Sequence, residues 1–241
     1  MEPYLFEGVV YPERAGITLQ LPPLGFKHVT SGKEAVAYVS IVLNQIAVWV
    51  ESATEWEILD LRNVVKGLLQ NELAIVGYLK GYAYDLDIRR VMNRALGIDQ
   101  VFGIDIPCIA ERKKEINLAE EVEKIRAKTG GDAGMYLHRC FADLISAMKT
   151  PDDTGFYCYR AIEALREYSI VRYKLDPDPK KRAEQWSKVR EIVGCDEKTL
   201  LDIKAAADPI RHGAIVPITD ADRQALFTKT WDIVDAFIKN A

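Results

Sequence analysis

Histidine is scarce in this chain of 241 residues: it occurs at His28, His138 and His212 and nowhere else. Cysteine is nearly as rare, and Cys108, Cys140, Cys158 and Cys195 are too far apart to form a Cys-x-x-Cys pair. A zinc site of local Cys/His spacing is therefore not encoded. Asp85 and Asp87 have no histidine near them in sequence to suggest another metal site. A phosphate-cradling glycine loop is missing too, because no Lys-Ser/Thr pair follows Gly130-Gly131. Gly-x-Ser-x-Gly is absent. No run approaches the roughly 18 apolar residues that a membrane-spanning helix needs. The start, Met1-Glu2-Pro3-Tyr4, lacks the basic and apolar stretches of a signal peptide. These absences predict a cytoplasmic protein with free thiols, no metal, no cofactor and no membrane partner.

Excess positive charge is also lacking. The net charge is −4, so no global field draws the chain to nucleic acid. Residues 1–110 hold 9 Lys/Arg against 13 Asp/Glu, whereas residues 111–241 hold 23 of each. A local basic patch is thus open to the second part and not expected in the first. Apolar residues are 49% and charged residues 28%, the composition of a globular protein with a sizeable core.

Two periodicities divide the chain. Over residues 4–50 apolar residues alternate, as in Ile17, Leu19, Leu21 and again in Ala37, Val39, Ile41, Leu43. This predicts strands, with a hairpin at Asn44-Gln45. Thr54-Glu55-Trp56-Glu57 has the form of a capping box, and Ile58, Leu61, Val65 and Leu68 follow at helical spacing, giving a helix over about 54–70. Leu73 to Val91 alternates again, with Gly77 and Gly81 as bends or bulges. Val101 to Ile109 reads as a last strand.

Beyond Glu111 the pattern is helical. Segments start near Leu118, Asp132, Thr154, Pro179, Asp196 and Thr219, and Gly130-Gly131, Pro151 and Gly194 break them. The expectation is an α+β protein: a β-rich domain with one helix over residues 1–110, then an all-α bundle of about six helices over 111–241.

One short segment of the bundle concentrates chemistry. In Asp208-Pro209-Ile210-Arg211-His212-Gly213, a helix would set Asp208 beside Arg211 and His212 one turn on. An aspartate can orient a histidine, and an arginine can grip a phosphate, which are the parts of a phosphodiester-cleaving site. The same residues also suit a plain helix end, with basic side chains in the last turn and glycine after it. Arg160 and Glu163, in Tyr159-Arg160-Ala161-Ile162-Glu163, either form a surface ion pair or point across the bundle toward Arg211 and His212. Lys180, Lys181 and Arg182 are a candidate nucleic-acid contact, or a solvated loop diluted by Asp176 and Asp178.

Tyr159-Arg160-Ala161-Ile162-Glu163 on an early helix and Ala207-Asp208-Pro209-Ile210-Arg211-His212-Gly213 on a late one together resemble the HEPN-like superfamily, over residues 135–239. That resemblance implies a dimerising helical bundle, in many relatives a metal-independent ribonuclease of toxin, antiviral or other bacterial defence systems. The superfamily's catalytic arginine precedes its histidine by four to six residues. Here positions 205–207 are alanines and Asp208 follows them, so no arginine stands there, and Arg211 adjoins His212. Neighbours on a helix point about 100° apart. Two expectations follow. The first is a non-catalytic interaction or RNA-binding module of a defence or stress-type system, acting as a homodimer with RNA or a protein partner. The second is an endoribonuclease with His212 as acid/base, Arg211 and Arg160 stabilising charge, and Asp208 and Glu163 in support.

Overall fold

The computed structural model describes residues 3–241, and the chain divides into two compact units between Ile104 and Asp105. The first unit is an antiparallel sheet with one long helix. Its strands are β1 (Tyr4–Tyr11), β2 (Leu19–Gln20), β3 (Leu24–Lys27), β4 (Glu34–Val42), β5 (Gln45–Ser52), β6 (Asp85–Asn93) and β7 (Ile98–Val101). The sheet order is β2-β4-β5-β1-β6-β7, with β3 also on β4. β2 and β3 share one edge of β4 in tandem, β2 at Ile41 and Ser40 and β3 at Ala37 to Glu34.

Alternation along β4 sends Ala35, Ala37, Val39 and Ile41 inward, and Ile46, Val48 and Val50 of β5 join them. Helix α1 (Ile58–Lys80) closes this core with Leu61, Val65, Leu69 and Leu73, each one turn after the last.

The structure corrects four expectations in this unit. The hairpin turns at Leu43-Asn44, one residue earlier than expected. Both residues have positive φ, 46° and 70°, the backbone that matches the twist of the paired strands. Asn44 is fixed there by its side chain, whose Oδ1 accepts from Ile17 N at 2.7 Å and whose Nδ2 donates to Val10 O at 2.8 Å.

Thr54 caps no helix, because α1 begins at Ile58 after an extended Glu57. Trp56 holds the approach extended: its ring is buried, its Nε1 donates to Ser52 Oγ, and its backbone N donates to Tyr4 Oη. Residues 73–80, read as strand, continue α1. Gly77 lies on the buried stripe where a Cβ would come within 2.5 Å of Tyr82 O, and Gly81, at φ 66°, ends the helix. The last strand stops at Val101, since Pro107 opens a short helix, α2 (Pro107–Ala110), in place of strand.

The second unit is helical. It contains α2, α3 (Leu118–Lys128), α4 (Gly131–Lys149), α5 (Thr154–Tyr173), α6 (Arg182–Val193), α7 (Glu197–Arg211) and α8 (Asp220–Asn240). Three of these α-helices are capped by side chains that accept from backbone N–H groups: Asn117 from Glu120, Asp196 from Thr199 and Thr219 from Asp222. Asp132, the expected cap of α4, lies inside its first turn, and Gly130 stands at the cap.

Helix α5 is the centre of the bundle. Its buried residues Cys158, Ala161, Ile162, Leu165 and Ser169 lie on more than one face, as in a helix enclosed by neighbours. Buried Arg223 of α8 ties two elements together: its Nε donates to Thr154 Oγ1 at 2.9 Å and its Nη2 to Met148 O at 2.7 Å. No helix among the described residues is long and apolar enough to cross a membrane.

Candidate anion-binding cleft

Three helices of the second unit each carry polar residues one or two turns apart. On α5 these are Tyr159, Glu163 and Arg166; on α6, Arg182, Trp186 and Arg190; on α7, Lys204, Asp208 and Arg211. Spacings of three and four residues stack side chains on one face of a helix. The bundle turns these three faces toward a common cleft of about 620 Å³, which Glu197 and His212 also line.

Arginine–aromatic contacts order the cleft. Tyr159 and Trp186 stack with ring centres 6.2 Å apart and planes 25° from parallel. Arg211 lies 5.9 Å from the Tyr159 ring centre and Arg166 lies 5.4 Å from that of Trp186. Two stacked rings are thus each met by a guanidinium, which holds that group's plane without consuming its donors. Burial pushes the Tyr159 hydroxyl above its ordinary pKa, and the Glu163 carboxylate adds to the rise.

Arg211 stands 3.7 Å from Asp208 Oδ1 and 4.0 Å from Glu163 Oε1, loose distances that leave guanidinium donors for a ligand. Arg166 pairs with Glu167, while its Nε is buried without a hydrogen-bond partner among the described residues. Arg182 and Arg190 make no ion pair among the described residues. Five cations, Arg166, Arg182, Arg190, Lys204 and Arg211, face three carboxylates, Glu163, Glu197 and Asp208. The cleft is therefore locally positive in a chain of net charge −4.

Of the residues singled out from sequence, Glu163, Asp208, Arg211, His212 and Arg182 come together in this cleft. Arg160 lies outside it. Its Nη2 is 3.3 Å from Oδ1 of the buried Asp143, and its guanidinium rests on the rings of Phe156 and Tyr157. Burial raises the Asp143 carboxyl above its ordinary range, against the lowering effect of Arg139. Lys180 and Lys181 stand in the exposed turn before α6, also outside the cleft.

His212 caps the C-terminus of α7 through its backbone N–H, which reaches the carbonyls of Asp208 and Pro209. Gly213 follows at φ 84°. Asp208 faces Arg211 and Lys204, and the His212 ring makes no hydrogen bond or ion pair among the described residues. Sequence reasoning missed Arg166, Trp186, Arg190 and Lys204. Their signal was the shared three- and four-residue spacing on consecutive helices. Among the described residues no group of three or more His, Cys, Asp or Glu side chains is placed to hold a metal ion.

The architecture agrees with comparison to known families. Residues 4–102 match the model described as the N-terminal domain of a domain of unknown function (DUF8168), and residues 122–241 match the corresponding C-terminal domain. Together the two matches span most of the chain, which is a two-domain protein of the DUF8168 family. No curated protein and no solved structure matches it.

Proposed function

We propose that the C-terminal bundle is a HEPN-like, non-catalytic module that binds RNA through the α5–α6–α7 cleft. In this reading it acts as a homodimer within a bacterial defence or stress-type system. One observation carries it: two guanidiniums ordered on stacked aromatic rings, with further cations beside them, in an otherwise acidic chain. Arginine forks match phosphate oxygens, and such contacts provide most of sequence-independent affinity for nucleic acid. The absence of a cation four to six residues before His212, and the commitment of Arg160 to Asp143, favour binding over cleavage.

The test is fluorescence anisotropy of a labelled single-stranded RNA with the intact chain. Binding is expected to weaken steeply with salt, and Arg182→Ala or Arg211→Ala is expected to lower the salt slope by about one each. Lys180→Ala, outside the cleft, is expected to change it least. Affinity that ignores the cleft arginines would refute the reading. A metal-independent endoribonuclease is the second reading, favoured by the presence of His212 and Arg211 on the same cleft wall. It requires cleavage of that RNA in chelator, lost in His212→Ala.

A further inference from the structure

A second cavity lies on a different side of the bundle. Helix α3 contributes no buried residue to the core; its inward side chains Glu121, Ile125 and Lys128 are only half-buried. Between it and a floor made by α4 and α8 remains a groove of about 740 Å³. The floor is apolar: Phe141, Leu144 and Ile145 from α4, and Trp231, Val234 and Ile238 from α8. Ile145 is 48% exposed there.

The rim is basic. Lys113 is held by Asp235 at 2.7 Å and Lys124 by Glu121 at 2.6 Å. Lys128 donates to the Ala241 carbonyl at 2.8 Å. Lys239 makes no ion pair among the described residues. The groove thus offers an apolar floor with the Lys239 ammonium at its edge.

We propose that this groove binds a single-chain amphiphilic anion, a free long-chain carboxylate whose tail lies on the α4–α8 floor and whose head meets Lys239. Shape and charge decide the class. A helix with its side chains is about 10–12 Å across, whereas this groove is lined by α3 on one side and by α4 and α8 on the other. An alkyl chain is far slenderer than a helix, and the apolar floor suits it. Pockets for small molecules are mostly apolar with a few polar groups, at roughly 300–1,000 Å³. The cationic rim selects an anionic head over a neutral or cationic one. Each buried methylene is expected to tighten binding roughly four-fold.

The test is calorimetric titration of the intact chain with dodecanoate below its micelle concentration. Saturable one-to-one binding is expected, about fifteenfold tighter than decanoate's, and weaker for dodecanol, which lacks the charge. Ile145→Glu alters an exposed position and is expected to weaken binding at least tenfold with thermal unfolding unchanged. Lys239→Glu is expected to weaken dodecanoate several-fold and leave dodecanol unchanged. Uptake without saturation, or affinity indifferent to both substitutions, would overturn the proposal. So would a chain that takes no dodecanoate and is a dimer that Ile145→Glu converts to monomers, because a second copy would then be the occupant.

Discussion

The guanidinium of Arg211, on α7, lies 5.9 Å from the ring centre of Tyr159, on α5, and Tyr159 in turn stacks on Trp186 of α6. Tyr159 therefore joins three helices at the cleft, while Arg211 keeps only loose ion pairs to Asp208 and Glu163. Substituting lysine for Arg211 separates its two contributions. Arg211→Lys keeps the charge but loses the planar stacking group, so stability is expected to fall by about 0.5–1 kcal/mol, the size of an exposed cation–π contact. Arg211→Ala is expected to weaken RNA binding by about 1.5–3 kcal/mol, the range for hydrogen bonds to charged groups, which is roughly tenfold or more. Arg211→Lys should fall between wild type and alanine, because a point charge cannot reproduce bidentate contact. Thermal unfolding and anisotropy on the same three proteins measure both effects.

Asn44 makes the hairpin of the first unit a second point of sensitivity. Its side chain bonds Ile17 N, Val10 O and Pro12 O, while its own backbone holds φ at 70°. Asn44→Gly relieves the backbone cost and loses the side-chain bonds. Asn44→Ala loses both. We expect urea denaturation to rank them wild type, glycine, alanine, with the alanine variant down by about 2–4 kcal/mol, since it strands a buried N–H and imposes positive φ on a residue with a Cβ.

The thiols give a pH prediction. Burial pushes the Cys158 thiol up to about 12, and burial raises Cys140 further. Cys108 and Cys195 are only partly buried, and desolvation raises them less. In the folded state at pH 8, Cys140 and Cys158 are expected to resist iodoacetamide, so mass spectrometry should find at most two labels. All four should react in urea. The sign of the stability effect follows. An unfolded thiol ionises near 8.5, while folded Cys158 stays protonated to about 12. Between those values the folded state holds more protons, so stability falls as pH rises, by up to about 1.4 kcal/mol per unit from Cys158.

The helices of the second unit were legible because their signals are local. Asp196 and Thr219 cap where the sequence said a polar residue preceded an apolar stripe, and Gly194 ends α6 at φ 73°. The errors of the first unit share another cause. Trp56 and Gly77 owe their roles to partners far along the chain or across the turn, Tyr4 and Tyr82, which no window of residues reveals. For the cleft, the α7 residues were visible as a motif. Arg166 and Trp186 were not, because only tertiary packing sets α5 and α6 beside α7. Arg160 was misleading for the same reason: it is one helical step from Tyr159, and that step turns it toward Asp143.

Gly155 tests whether the seat of α7 on α5 maintains the cleft. A Cβ at Gly155 would come within 2.6 Å of the Ala206 carbonyl oxygen and 3.0 Å of its carbonyl carbon. The obstacle is backbone, so the neighbour cannot turn aside by changing rotamer. Gly155→Ala must therefore push α7 from α5, at a cost of about 1–3 kcal/mol, typical of overpacking. That should lower the melting temperature of the unit by several degrees. Because Asp208 and Arg211 ride on α7 while Tyr159 and Glu163 ride on α5, the shift should also part Arg211 from its ring. RNA affinity is expected to fall although no cleft residue has changed. Ala206→Gly should not rescue the variant, since it removes a methyl and leaves the carbonyl in place. A Gly155→Ala protein with unaltered stability and affinity would show that α7 can move without cost to the cleft. Full recovery in the double variant would show instead that the obstruction was the Ala206 side chain, 3.3 Å away.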